Sequence, residues 1–329
     1  MTNCWRPVLK THSTISWTKC QGDFPLTLIF TFHNFSIFQF SIFLVNYKEV
    51  ELYYEPRTLC QSKYDWPEEE PEMSDFESAF LCGLIKRKRP HKIVEVGIAA
   101  GGTTAIILKC IELLVMEQEC EMFSVDISEC FYRGEGERSG YLADELLNQR
   151  GSHFKHTFLL GKLLPEVIDR IGNDIDFVIF DTIHAMPGEI LDFLAIYPYM
   201  KPGATVVLHD IAVSHYNRPS LFAYSNQILL RCVVGDKYFM YDESRPLKYP
   251  NIGAFDMNDN TDQSISDVFH ALTINWRYRL APTSFEIYGN HFERHYGKEA
   301  ATLFTTIYEM QEHTYRMMFG TYLGKIAKT

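Results

Sequence analysis

Residues 92–104, Lys-Ile-Val-Glu-Val-Gly-Ile-Ala-Ala-Gly-Gly-Thr-Thr, limit what this chain can fold into more than any other stretch. Ile93, Val94 and Val96 form a short β-branched run that reads as a buried strand. Gly97, Gly101 and Gly102 follow in a turn. A helix then opens at Thr103-Thr104, with Ala105, Ile106, Ile107, Leu108, Ile111 and Leu114 at helical spacing. Glycine suits such a turn because the backbone must bend sharply and let a ligand approach its amides. The helix start behind it offers free N–H groups and the positive end of a dipole. The unit is a cradle for a nucleotide or nucleoside. Its order, G-x-x-x-G-G, is neither the G-x-G-x-x-G of dinucleotide sites nor a phosphate loop, which needs Gly-Lys-Ser/Thr.

The following segments extend the pattern. Residues 122–126 form a second apolar run that ends in a carboxylate, at the separation a βαβ unit requires. Asp126, placed there, can accept hydrogen bonds from both hydroxyls of a ribose. Further runs at 156–160, 175–180 and 204–208 end at Gly161-Lys162, at Asp181 and at His209-Asp210. Between the last two, residues 189–200 carry Ile190, Leu191, Leu194, Ile196 and Tyr197 on one side before Lys201-Pro202-Gly203 stops the helix. Strands alternating with helices predict a doubly wound, mostly parallel α/β sheet. In such sheets ligands bind beyond the carboxyl ends of the strands. Glu95, Gly97, Asp126, Gly161, Asp181 and His209-Asp210 all stand at that edge.

The stretch from 176 to 210, DFVIFDTIHAMPGEILDFLAIYPYMKPGATVVLHD, resembles the D-x-x-x-x-D-x-x-H … L-x-P-G-G-x-x-x-x-H-D pattern of the methyltransferase family 24 group. The acidic residue, Gly and second Gly at 95, 97 and 101 are similar to the first motif of class I S-adenosylmethionine-dependent methyltransferases. Macrocin-type and novobiocin-sugar O-methyltransferases and the cephalosporin hydroxylase-like proteins are more distant relatives. The resemblance runs from about Ser74 to about Tyr296 and is strongest at 92–104 and 176–210. It departs at Ala204, where the family usually has glycine, and at His209-Asp210, where macrocin-type enzymes carry two adjacent acids. It implies a Rossmann-like methyltransferase sheet closed by an antiparallel strand, with S-adenosylmethionine as the cofactor. Glu95, Gly97, Ala99, Gly101, Thr103, Asp126 and Gly161 are the expected cofactor contacts.

Methyl transfer from a sulfonium is an in-line displacement, so orienting two reactants is the largest task. A hydroxyl acceptor must also lose its proton, to a base or with the help of a divalent cation that lowers its pKa. By resemblance, Asp181 and Asp210 are hard oxygen ligands for Mg2+ or another divalent cation. His209 completes the expected metal set, although nitrogen suits a softer ion than magnesium. Asp181, His184 and His209 are the expected catalytic residues, the histidines as bases. The acceptor is expected to be a small hydroxylated molecule or sugar. Two alternatives stay open: an NAD(P)-dependent oxidoreductase, which the glycine spacing and the missing Tyr-x-x-x-Lys dyad disfavour, and a non-catalytic binding protein on the same fold.

Composition narrows the partners. With 329 residues, 46% of them hydrophobic, the chain can build one large core with additions. The formal charge is −11, and the one basic cluster, 86–89, falls at a helix end where the dipole favours cations. A nucleic-acid surface is therefore not expected. Eight cysteines without a C-x-x-C pair read as reduced thiols of a cytoplasmic protein. Residues 26–45 carry no charge, but the alternation of Phe30, Phe32, Phe38 and Phe40 with polar neighbours predicts a β-hairpin, not a membrane span. Residues 47–54 should continue that small sheet. The expected organisation is a β-leaning N-terminal extension over 1–73, a cofactor-binding core over 74–258 and a C-terminal helical segment over 259–329. In that last segment Trp276, Tyr278 and the aromatic C-terminus should serve as core or as contacts of a homo-oligomer.

Overall fold

The computed structural model describes residues 4–10, 14–20, 27–30, 38–41, 47–63, 73–150, 154–216, 223–245 and 248–326. The acidic, proline-containing stretch at 66–72 lies outside the described residues. Two antiparallel hairpins, β1 (Cys4–Lys10) with β2 (Thr14–Cys20) and β3 (Thr27–Phe30) with β4 (Phe38–Ser41), belong to a unit spanning Met1–Asn46. The hairpin expected within 26–45 is β3–β4. Residues 47–54 do not continue it. They belong to the second unit, Tyr47–Thr329, where Lys48 bridges Tyr238.

That second unit is built on seven strands: β5 (Lys92–Val96), β6 (Glu121–Asp126), β7 (Lys155–Leu160), β8 (Ile175–Phe180), β9 (Met200–His209), β10 (Asp236–Tyr238) and β11 (Ile252–Asp256). Their order across the sheet is β10-β11-β9-β8-β5-β6-β7. Strands β5 to β9 are parallel, and β11 is antiparallel to both β9 and β10. The antiparallel strand that closes the sheet is thus inserted one position from the edge. Chain order reverses at the centre, where β5 has β6 on one side and β8 on the other. This is the switch point at which a crevice opens above the strand ends.

Side chains alternate across the sheet and so build two cores. Val94, Val96, Val178, Phe180, Val206, Leu208 and Phe255 pack on one face. The helices on that side are α5 (Leu164–Ile171), α6 (Gly188–Ile196), α8 (Ser225–Cys232), α9 (Thr261–Ala271), α10 (Pro282–Tyr296) and α11 (Lys298–Ile326). Ile93, Met122, Phe177, Ile179, Val207 and Ile252 pack on the other face, against α1 (Glu55–Lys63), α2 (Asp75–Lys88) and α3 (Gly102–Leu113). Strand β8 is buried at all six positions, as a central parallel strand covered on both faces must be. The helices α4 (Tyr141–Arg150) and α7 (Val213–Tyr216) complete the unit.

Helix α2 starts where its sequence signal lies. Ser74 accepts from the Glu77 amide at 3.3 Å, and the Glu77 carboxylate accepts from the Ser74 amide at 2.6 Å, a reciprocal capping box. One apolar run that reads in the sequence as a strand forms a helix instead. Residues 229–234 lie mostly in α8, because Ser225, Asn226, Leu229 and Leu230 are buried at helical spacing behind an apolar run that imitates a strand. Within the segment expected to be helical, α9 ends at Ala271, with the Trp276 indole N–H donating to the Leu272 carbonyl beyond it. Among the described residues, no helix is long and apolar enough to cross a membrane.

Candidate functional site

The glycine turn leaves β5 and enters α3 as a lip over the switch point. Gly97 has φ +92°, and a Cβ there would stand 2.0 Å from the Asp181 carbonyl oxygen. Gly101 also has φ +92°, with Gly140 Cα 2.6 Å from where its Cβ would be. Both positions exclude any side chain, because the backbone just past β8 abuts Gly97 and the backbone of Gly140, ahead of α4, abuts Gly101. Gly101 caps α3 with no side chain bonded to its first amides. The crevice is lined by Gly97, Ile98, Ala99, Ala100, Gly101, Gly102, Thr103 and Asp181, so four of the expected cofactor contacts and one expected catalytic residue meet there.

Glu95 does not reach the crevice. Two residues past Ile93, it points to the α3 side of the sheet and is fully buried. One carboxylate oxygen accepts from the Thr104 and Ser124 hydroxyls, each at 2.7 Å, tying the strand end to the helix start. Burial pushes its pKa up to about 8, against those two hydrogen bonds, with Asp181 and Asp126 adding to the rise. Between about pH 4.5, where the unfolded carboxyl ionises, and about 8, the folded chain holds the extra proton. Stability therefore falls as pH rises through that window. Glu95→Gln, an isostere of the protonated form, removes the dependence. Urea unfolding should give similar stabilities for variant and wild type at pH 5, with the variant ahead by a few kcal/mol at pH 8. Parallel pH curves would show that Glu95 is ionised in the folded state.

Asp126 ends β6 beside the turn. Its Oδ2 accepts from the Ile98 amide at 2.9 Å and the Ala99 amide at 3.3 Å, and its Oδ1 accepts from Ser128 at 2.8 Å. It therefore shapes the lip as well as standing where a ribose was expected. Gly161 ends β7 at φ +69°, against the Glu129 side chain, and does not line the crevice.

A charged cluster sits behind Asp181. Asp181, His184 and Asp210 each offer one ligand atom, all within 4.8 Å of one another, and all three residues are partly exposed. His184 Nε2 is 3.0 Å from Asp210 Oδ2 and 3.8 Å from Asp181 Oδ1. His184 and Asp210 both adopt left-handed backbone, at φ 60° and 56°. For non-glycine residues this costs about 1–3 kcal/mol each, and such strain gathers at functional sites. Burial alone would lower the pKa of His184, but Asp210 and Glu189 outweigh it and hold the ring protonated well above its ordinary range. Burial likewise opposes the ionised form of Asp210, and His209 and His184 overcome it, so this carboxyl is held low.

His209, expected as a metal ligand and base, is placed differently. It follows Val207 by two residues, so strand alternation turns it inward towards α2. It is 4% exposed, with Nδ1 2.8 Å from Asp181 Oδ1 and Nε2 3.5 Å from Glu77 Oε2. Both nitrogens face carboxylates, so neither is offered to the cluster's opening. His184, not His209, stands in the group with Asp181 and Asp210.

Several members of the site carried no functional signal that had been read. Glu189 is fully buried and accepts from the His184 amide at 2.7 Å. Asn251 donates to the Asp210 carboxylate, and Asn226 donates to the His209 carbonyl at 2.6 Å. Glu77 was legible only as a cap. Yet it precedes Phe80, Leu81 and Leu84 by three, four and seven residues, on the apolar side of its helix, where a lone charge calls for a buried partner.

Residues 94–211 match the family model described as "Methyltransferase domain". No curated protein matches the chain. Among solved structures, the chain is similar to the O-methyltransferase TomG from Streptomyces achromogenes, involved in tomaymycin synthesis and in complex with SAM. Identity is 14% over 64% of this chain and 92% of that one, with TM-score 0.43. It is also similar to an O-methyltransferase from Bacillus cereus in complex with SAH, at 12% identity over 61% and 89%, TM-score 0.38. At such low scores these likenesses carry no functional weight.

Proposed function

We propose that this chain, whose residues 94–211 match the methyltransferase-domain model, transfers the methyl group of S-adenosylmethionine to a hydroxyl of a small molecule or sugar, assisted by a divalent cation. The observation that carries the proposal is the double membership of Asp181: it lines the glycine crevice and belongs to the Asp181–His184–Asp210 group. A cofactor held at the lip would therefore present its reactive end to that group.

The residues fit both partners. The lip supplies backbone amides, an uncapped helix start and the Asp126 carboxylate, a donor–acceptor set suited to an amino acid joined to a nucleoside. S-adenosylmethionine supplies an electrophilic methyl group on a sulfonium. Two carboxylates and an imidazole suit Mg2+, Mn2+ or a softer divalent ion. Such a cation supplies charge stabilisation for a developing alkoxide. The chain's own residues do the rest. Asp181 and Asp210 orient the acceptor hydroxyl beside the crevice with His184 as the nitrogen member of the ligand set, and a hydroxyl acidified by the cation would lose its proton to solvent at this partly exposed group. Acids and a histidine beside the crevice favour a hydroxyl acceptor over an amine, which needs less help to lose its proton.

The test is calorimetry with S-adenosylmethionine and with NAD+, then labelled methyl transfer to a panel of hydroxylated compounds with and without EDTA. Binding of S-adenosylmethionine alone is expected, with transfer that EDTA abolishes and Mn2+ or Mg2+ restores. NAD+ binding in its place sinks the reading, and EDTA-resistant transfer removes its cation.

A further inference from the structure

We infer that Glu77 of α2, outside the matched methyltransferase segment, is a positioning residue that holds the Asp181 carboxylate in its working orientation through His209. This rests on the reading that Asp181, His184 and Asp210 take a cation.

The contacts run from buried Glu77, through the buried His209 ring, to the partly exposed Asp181. Glu77 is 1% exposed, a location a carboxylate tolerates only when its oxygens are engaged. Oε1 accepts from Arg245 Nη2 at 2.7 Å. Oε2 accepts from the Ser74 amide at 2.6 Å and faces His209 Nε2 at 3.5 Å. The other ring nitrogen meets Asp181 Oδ1 at 2.8 Å. The ring is fixed at its backbone too, where Asn226 donates to the His209 carbonyl at 2.6 Å. A histidine between two carboxylates has one sensible orientation, each ring nitrogen pointing at one acid. Glu77 therefore sets the ring's rotation, and the ring sets which Asp181 oxygen is occupied and which is free for the opening. Carboxylate–histidine pairs behind a metal site do this work elsewhere, with the acid as the outermost member. Here the order is extended, because the histidine stands behind a carboxylate ligand.

Glu77 also closes the capping box of α2, so loss of the cap has to be separated from loss of the relay. Gln serves in a capping box as Glu does and keeps the shape. Glu77→Gln thus spares the cap and removes the charge facing His209. Ser74→Ala weakens the cap and leaves the relay intact. The readout is Mn2+ affinity, by electron paramagnetic resonance of the free ion, alongside S-adenosylmethionine affinity by calorimetry and the melting temperature.

Glu77→Gln is expected to weaken Mn2+ binding by about 10- to 100-fold with cofactor affinity unchanged, as for other groups behind a metal ligand. Ser74→Ala should lower the melting temperature and leave Mn2+ binding at the wild-type value. Mn2+ affinity unchanged by Glu77→Gln overturns the inference alone. Equal losses in both variants overturn it as well, since the cap would then explain them. A wild-type chain that takes up no Mn2+ overturns the cation reading and this inference with it.

Discussion

Asp181→Asn should lower kcat for methyl transfer by about 10²- to 10³-fold while leaving S-adenosylmethionine affinity unchanged. The substitution is nearly isosteric, and the amide oxygen can still accept from His209 Nδ1, which approaches Asp181 at 2.8 Å. What disappears is one negative charge at the point where crevice and acid–histidine group meet. In the proposed function the cofactor is held by the lip amides and Asp126, whose mutual hydrogen bonds the change does not touch. The loss should therefore fall on turnover and on cation affinity, not on the cofactor dissociation constant.

Strand β8 supplies its own control. Asp176, near its other end, is buried and accepts from the His91 and Lys92 amides and from Lys201. Asp176→Asn should reduce stability yet leave kcat per folded molecule intact. Steady-state kinetics and calorimetry on both variants check the pair. An Asp181→Asn enzyme with wild-type kcat would take Asp181 out of the chemistry. Parallel losses in cofactor affinity would make it a structural acid of the lip.

The sheet and the lip were readable because their signals are local. Apolar runs ending in Glu95–Gly97, Asp126, Asp181 and His209-Asp210 mark strand ends directly, and the parallel order of β5 to β9 follows from alternation with helices. The site's inner layer was not readable in the same way. His209 lies beside an acid in sequence and His184 three residues after one, and their placement is decided by geometry that spacing does not carry. Strand alternation turns His209 inwards, and a left-handed turn brings His184 up to Asp210. Glu77, Glu189 and Asn251 come from three separate elements that only the folded chain brings together. The Ser74-x-x-Glu77 spacing marks a helix start but says nothing of His209, although one side chain serves both the cap and that ring. The apolar run at 229–234 misled because β-branched and long aliphatic residues suit either a strand or a helix packed on a sheet. Only the burial of Asn226 and Ser225 with them decides.

Gly97→Ala tests the lip itself, and the fold gives a reason to expect a large loss. A methyl group at 97 would stand 2.0 Å from the Asp181 carbonyl oxygen, 2.5 Å from its carbon and 3.1 Å from Thr182 Cα. All three are backbone atoms immediately past the end of the neighbouring central strand, so no side chain can swing aside. The residue also sits at φ +92°, which alanine resists. Overpacking and backbone strain together should cost roughly 2–5 kcal/mol. Part of that cost is relieved only by moving the turn off β8, which shifts the Ile98 and Ala99 amides away from Asp126 and should abolish cofactor binding. Gly289, in the middle of α10 with open space where a Cβ would go, offers the opposite case. There the same substitution should stabilise by roughly 0.5–1 kcal/mol, because alanine is the better helix former. Urea unfolding of the two variants therefore should move the midpoint in opposite directions. A Gly97→Ala chain as stable as wild type, and still able to bind S-adenosylmethionine, would mean that β5 and β8 do not end in contact and that the crevice is built some other way.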